Sequence, residues 1–428
     1  MSWFGKFFGG ETKVADASNL TWSTLFGESM RSKTGLSVNE LTALRVTAVY
    51  GCCKVICEDV GKLPLKLISE DRDGVKQVLY DHPLYRILYR RPNEWQTSME
   101  WRMTMLLHAL LCKFGISYIS RSQSGMTKGE VLELIPLMPG NVKVRQLPNY
   151  ELEYEVTDAQ GTIATLSRSD VHVLHGLSWN GYTALDLIKQ GTEAIGLAIA
   201  SEQTQALMHG NGAKPGGVLT TTAVLTTPQI ERIRTQFESA YSGVGNAFKT
   251  VLLDNGLKFE PWNQSGVDGQ HIETRKFQTE EVCRLFRVFP QMIASGTATP
   301  TYASAESFFG AHVGHTLQPW ISLWEQAILR DLLSEKEITS GIEAKFILQA
   351  LMRGTAPQRA AFYKEAINSG WMTRNEARRL EDLNPLPGLD KILTPLNMSD
   401  GSSTPTKPTT KPPPTDDVSG GDVENEDE

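Results

Sequence analysis

Two HxxH pairs, His172/His175 and His312/His315, are the first residues to weigh for chemistry. Zinc helices of the protease kind carry HExxH, with the glutamate as general base, and neither pair has it. Both pairs read as structural histidines. Gly176-Leu177-Ser178-Trp179-Asn180 comes within one residue of the GxSxG nucleophile elbow. Asn180 replaces the second glycine, which would crowd the strand-to-helix turn, and no acid–histidine pair is recognisable to serve the serine. Cys53 and Cys57 stand at metal-compatible i, i+4 spacing, yet no nearby His or Cys cluster completes a ligand set, so they read as core thiols. His108, inside the apolar run MTMLLHALL, reads as a packed core histidine. Adjacent Glu280 and Glu281 point in different directions on a helix, which makes them a solvated face. A phosphate-cradling loop needs GxxxxGK[ST]. The two Gly-Lys pairs, Gly5-Lys6 and Gly61-Lys62, have no glycine five positions before and no Ser or Thr after. The glycine-rich HGNGAKPGGVL reads as a turn. No catalytic residue, cofactor or metal ion is therefore expected.

The composition fits that reading. The 428 residues are 40% hydrophobic and 21% charged, enough to bury a core and too few charges for a disordered chain. At ~100–200 residues per domain the length allows two to four domains. The net charge is −7, of which residues 399–428, with eight acids against Lys407 and Lys411, account for −6. The body is thus near neutral and announces no basic nucleic-acid clamp. Five cysteines make no disulfide framework and indicate synthesis in a reducing cytosol. No apolar run reaches the ~18 residues of a membrane helix. The opening MSWFGKFFGG is too short in apolar residues for a signal peptide and reads as a frayed terminus.

These residues must be positioned by a mixed set of elements. Val46, Val49, Cys53, Ile56 and Val60 predict a helix over 42–60. LPLKLI and VKQVL predict a hairpin turning at Asp73-Gly74. Thr97 and Glu100 form a capping box opening a helix over 97–114. Strand-like segments at 115–122, 130–135, 142–147, 150–157, 161–166 and 171–175, with glycines between them, predict an antiparallel meander. A long helix is expected over 183–209, with Ile188, Gly191, Ile195 and Ala198 on one stripe whose small residues permit close helix approach. A small module follows, with a strand, a helix at 227–242 and strands near 249–253 and 257–261. A shorter helix over 279–289 carries Val282, Leu285, Phe286 and Phe289 on one face. The small, polar ASGTATPTYAS reads as a loop, and a helix running to about 333 should kink at Pro319. A strand over EAKFILQAL and two short helices follow, the second with the capping box Thr373/Glu376. Residues beyond 398 lack apolar periodicity and read as disordered. The fold class is α+β, with an antiparallel sheet packed on helices rather than a doubly wound one.

The order and spacing of several strings resemble the portal proteins of tailed bacteriophages, of the shorter type. They are LTALRVTAVYGCCKVICEDVGKLPLKL, DHPLYRILYRRPN, FGISYISR, DVHVLHGLSWNGYTALD, NGAKPGGVL, FQTEEVCRLFRVFPQMI, HTLQPWISLWEQAIL and GWMTRNEARRLEDLNPLPG. The resemblance covers about 36–397. The segment after Ile293 departs from the family's more compact join. The resemblance implies a homo-oligomeric ring, twelve subunits in virions, at one capsid vertex, with double-stranded DNA passing along its axis. It implies a flexible N-terminus (1–25), a wing (26–180), a stem helix (181–211), a clip (212–272), a second stem helix (273–293) and a tunnel loop (294–304). A kinked wing helix and strand (305–350), a crown (351–397) and the acidic tail (398–428) complete the set. Ser295, Thr297, Thr299, Thr301 and Tyr302 would line the tunnel. Ile188, Gly191, Ile195, Ala198, Leu285 and Phe286 would pack the stem. The implied partners are the terminase large subunit, the major capsid protein and a head–tail adaptor, with no membrane and no enzymatic activity. A different virion adaptor, or a hydrolase or nuclease with an unrecognised site, are the alternative readings, and particle mass separates a ring from an enzyme.

Overall fold

The computed structural model describes residues 13–14, 30–71, 74–123, 125, 128–158, 160–210, 217–221, 224–241, 258–261, 267–295, 302–348, 356–381 and 383–393. The chain divides into two units, 1–351 and 352–428. In the first, strand β1 (Lys13–Val14) precedes the small hairpin of β2 (Met30–Arg31) and β3 (Ser37–Val38). Helix α1 (Glu40–Leu44) opens on a capping box: Asn39 Oδ1 accepts from Thr42 N, and Asn39 N–H donates to Thr42 Oγ1. Helix α2 (Thr47–Gly61) starts anew after Val46, which is extended at φ −73°, ψ 115°. The single helix expected over 42–60 is thus two.

The hairpin of β4 (Leu65–Glu70) and β5 (Lys76–Val78) forms as expected. Gly74 turns it at φ 77°, while Asp73 lies outside the described residues. Helix α3 (Pro83–Tyr89) has Pro83 in its first turn, where a missing N–H costs nothing. The predicted capping box Thr97/Glu100 opens α4 (Ser98–Leu111). Arg102 on α4 is buried and ties three elements: it donates to Gly61 O at 2.8 Å, Leu63 O at 3.3 Å and Leu88 O at 3.1 Å.

Six strands follow where the sequence placed them: β6 (Gly115–Arg121), β7 (Val131–Leu137), β8 (Val142–Gln146), β9 (Leu152–Thr157), β10 (Thr162–Ser167) and β11 (Val171–Leu174). They do not form one meander. β11 returns to pair with β6, giving a sheet in the order β11-β6-β7, and β8 to β10 form a second sheet with β1. The first sheet is the middle layer. Ile116, Leu137, Val171 and Val173 face a core shared with Tyr154, Val156 and Leu166 of the second sheet. Its opposite face packs Ile119, Leu134 and Leu174 into the main core with Trp101, Met105 and Trp324. Burial on both faces explains why VHVL is buried at every position. Gly115 sits at the join of α4 and β6, where a Cβ would lie 2.1 Å from Met105 O.

The chain continues through the short α5 (Leu187–Gln190), α6 (Thr192–Gly210), β12 (Gly217–Thr220), α7 (Thr227–Tyr241), β13 (Lys258–Pro261) and α8 (Val267–Phe286). β12 and β13 pair antiparallel, and the strand expected near 249–253 lies outside the described residues. α8 begins ten or so residues before the helix predicted at 279, because VDGQHIETRKFQ lacks an apolar stripe to mark it. Next come α9 (Tyr302–Ala311), a π-helical stretch His312–Leu317, α10 (Gln318–Leu332), α11 (Glu335–Thr339) and β14 (Ile342–Phe346), which pairs with β4. In the second unit, α12 (Ala356–Asn368) and α13 (Arg374–Leu380) are separated by Gly370 at φ 75°. Asn375, buried and capped by the predicted Thr373/Glu376 box, holds residue 386 like a paired strand: Leu386 N donates to its Oδ1 and its Nδ2 donates to Leu386 O, both at 2.9 Å.

Candidate functional site: the helix pair and its polar anchors

Helices α6 and α8 pack against each other, and α8 packs against α2. Ile188, Ile195 and Phe286 are buried in the main core, with Ala198 and Leu285 packed beside them. A Cβ on Gly191 would meet Leu285 Cδ2 at 2.4 Å, and one on Gly196 would meet Ser32 at 2.5 Å. The small residues of the stripe are therefore taken up within one subunit. Further along, Arg275 Nη1 donates to Gln205 Oε1 at 2.7 Å. Cys52 of α2 touches Cys283 of α8 with the sulfurs 4.0 Å apart. Donation to Cys283, together with burial, pushes the Cys52 thiol up, and burial pushes Cys53 up to about 12, so neither is a poised nucleophile. α8 ends in a Schellman turn: Val288 N donates to Cys283 O at 3.0 Å and Arg287 takes the left-handed conformation at φ 57°.

After α8, a 3₁₀ turn (Pro290–Ile293) leads to Ala294, also left-handed at φ 57°, and Ser295 N donates to Pro290 O at 2.9 Å. Thr297, Thr299 and Thr301 lie outside the described residues. Tyr302, expected in the loop, is the first residue of α9. Before Pro319, where a kink was expected, the helix widens into six π-helical residues. Proline lacks the N–H that would bond the carbonyl four residues back, and its ring crowds that carbonyl; the wider turn relieves both. Two side chains anchor this stretch. His312 Nε2 meets Asp59 Oδ2 at 3.0 Å, and Thr316 Oγ1 donates to Arg287 O at 2.5 Å. Burial pushes Asp59 up, but hydrogen bonds from His312 and Lys62 outweigh it and hold the carboxyl below its usual range.

The second polar anchor centres on Asp331, whose side chain is buried between α10 and β11. Its carboxylate accepts from His172 Nδ1 at 3.0 Å, Val173 N at 3.0 Å, Arg168 Nη2 at 2.5 Å and Arg330 Nε at 2.7 Å. Burial alone would raise this carboxyl, but the donors from His172, Arg330 and Arg168 hold it far below the usual carboxylate range. His172 is fully buried between Trp101 and Trp324, with ring centroids 5.8 and 5.7 Å away. A carboxylate only accepts, so His172 carries a proton on Nδ1, and its buried Nε2 has no hydrogen-bond partner among the described residues. The hydrogen bonds described above for this carboxylate come from imidazole, guanidinium and backbone N–H donors, and the pair orders packing. Sequence reading missed Asp331. Its signal was position: it continues the stripe Ile321, Trp324, Ile328 on the buried face of α10.

Ser178 is engaged as well. Ser178 Oγ donates to Thr183 O at 2.5 Å and receives Gly181 N at 2.8 Å, holding a loop instead of facing a base. Among the described residues no group of three His, Cys, Asp or Glu is placed to hold a metal, and no helix is long and apolar enough to cross a membrane. With neither catalytic nor metal geometry to interpret, likeness to known chains decides. A profile of phage portal proteins matches residues 47–382. The chain belongs to the phage portal protein family. The portal protein of Enterobacteria phage HK97 is 30% identical over 357 residues, covering 83% of this chain and 82% of that one. A probable portal protein of Streptomyces phage phiC31 is 28% identical over 378 residues, 86% of this chain and 81% of its own length. Two solved structures share the fold. The neck of an empty gene transfer agent particle, computed with C6 symmetry, gives a TM-score of 0.56 at 22% identity over 84% of this chain and 97% of that one. The crystal structure of an HK97 family portal protein from Corynebacterium diphtheriae gives 0.53 at 17% identity, covering 74% and 98%. A family of virion components fits a chain whose buried polar groups brace helices and strands.

Proposed function

We propose that this chain is the repeating subunit of a portal ring of twelve copies at a single capsid vertex. The ring is the channel through which double-stranded DNA enters during genome packaging and leaves during ejection. It is also the platform on which the packaging terminase and the head–tail adaptor dock, seated in the major capsid protein. The observation that carries this reading is the family match over 47–382. A related neck computed with C12 symmetry supports the ring number. Helices α6 and α8 form the stem, and residues 294–301 form the tunnel loop, where Ser295, Thr297, Thr299 and Thr301 meet the DNA. That segment has no Lys or Arg, and residues 1–398 are near neutral. A conduit benefits from both, because a wall of cations would hold phosphates through counterion release and act as a brake. The chain itself performs no catalysis; nucleotide hydrolysis belongs to the terminase.

The test is the mass and image of the purified particle. A ring runs near ten to thirteen times the 47.4 kDa subunit and shows a central hole in negative stain. A particle of one to four subunits, without a hole, overturns the proposal.

A further inference from the structure

Between β11 and α5 the chain makes a hairpin-like loop. Ser178 bridges Ala184, and Leu185 N donates to Leu177 O at 2.8 Å. Its tip is fixed from inside. Asn180 Oδ1 accepts from Tyr182 N at 3.1 Å and Thr183 N at 2.9 Å, and Ser178 points inward to Thr183 O. Ser178 turns in, while its two neighbours Leu177 and Trp179 both face water. They are 80% and 90% exposed. A rigid loop presenting a tryptophan to water has already lost the conformational freedom that binding would cost, and an ordered, exposed indole is the usual anchor of a protein interface.

The same chain offers a socket. A cavity of about 450 Å³ has apolar walls from Leu41, Leu44, Leu107, Leu111, Phe114 and Met138. Glu40, Lys113, Asp186 and Lys189 also line it. An apolar floor with charged groups around it is the anatomy of an interface core, and clefts of ~300–1,000 Å³ accept groups larger than an indole. The loop is tied to this cavity at its base, where Ala184 N donates to Lys113 O at 3.1 Å, but its tip does not fill it, since Trp179 stays open to solvent.

We propose that Leu177 and Trp179 of one copy plug the cavity of the next copy. Plug and socket are different surfaces of one chain, so each copy can engage the next, and in the ring proposed above that contact is head-to-tail, the heterologous kind that closes. The inference rests on the ring proposed above and names the residues that join its subunits.

The experiment uses the full chain in a Cys112→Ser background, which removes the native thiol at the cavity. The Trp179→Cys, Met138→Cys double variant is purified, its assembled mass is measured, and it is oxidised with diamide. Both positions are solvent-exposed, so neither change should disturb the subunit. The expected result is a denaturing gel with a covalent ladder beyond dimer, absent from each single variant. Separately, Leu177→Ser with Trp179→Ala should raise the concentration for half-assembly at least about tenfold, with an unchanged unfolding midpoint. Cross-links confined to monomers or dimers in rings of proven mass overturn the plug, as does an unchanged assembly concentration. Wild-type protein that forms no ring overturns the earlier reading instead, and its mass is known before any cross-link is made.

Discussion

Replacing Asp331 with alanine should cost the subunit about 3–5 kcal/mol, the penalty for removing one partner of a buried charge network. The structure says where that loss arises. Arg168 and Arg330 are 31% and 49% exposed at the side chain and can turn to water when the carboxylate goes. His172 and Val173 N cannot, because both are buried against α10. Each stranded N–H costs about 1–3 kcal/mol, and together they make most of the total. At 3 kcal/mol the folding constant drops more than about a hundredfold. Guanidinium unfolding followed by tryptophan fluorescence reads this directly, because Trp101 and Trp324 flank His172. Asp331→Asn should lose a similar amount, since its amide nitrogen would face the arginine donors. Lys54→Ala, which breaks an exposed pair with Glu58, should lose under about 1 kcal/mol and serves as the control. The sign with pH follows from the depressed carboxyl. Its stabilisation is complete above the ordinary carboxylate value of about 3.9 and disappears as pH falls through the lower folded value, so the gap between wild type and variant closes only in strong acid. A loss below about 1 kcal/mol at neutral pH would refute the view that this carboxylate organises the α10–β11 junction.

Burial drives His108 down from 6.5 to about 4. A depressed histidine stabilises the fold fully above about pH 6.5 and loses that contribution as the unfolded chain takes up a proton; wild type should lose about 2 kcal/mol more than His108→Gln between pH 7.5 and 5, and parallel pH profiles would contradict this. Gly115→Ala places a methyl 2.1 Å from the Met105 carbonyl, so it should destabilise by about 3 kcal/mol or more, measured as the same unfolding midpoint. Deleting Thr297–Thr301 should leave the assembled mass intact and lower DNA content or retention in particles; normal packaging and retention would remove this segment from the DNA path. Truncation after Met398 should not change the assembled mass, because the removed tail lacks apolar periodicity, and a monomeric product would make the tail an assembly element.

Much of the architecture was legible where one rule governed. The capping boxes at Thr97 and Thr373 open helices as read, because a side chain reaching three residues ahead is a local event. The six strands from 115 to 174 were equally plain, but not their division into two sheets, which depends on β11 returning to β6 across fifty residues of chain. α8 was read short because its first turns carry no apolar stripe in the sequence. Gly191 is legible as a small residue on the stripe; that it and Gly196 approach Leu285 and Ser32 of the same subunit is a long-range fact. GLSWN departs from the elbow motif at Asn180, and its tryptophan, exposed on a braced loop, carries more information than its serine.

The π-helical stretch before Pro319 carries a bookkeeping of residues along the helix. A π turn holds about one residue more than an α turn, and one residue of an α-helix corresponds to about 100° of rotation. Losing a single residue from His312–Leu317 would therefore return the run to α geometry with α9 still in phase with α10, whereas losing one from the α-helical turns on either side would swing α9 by about that angle. The π turn is the place where the helix carries a spare residue. Among relatives, a one-residue deletion should be tolerated within this stretch and not in the α-helical turns beside it.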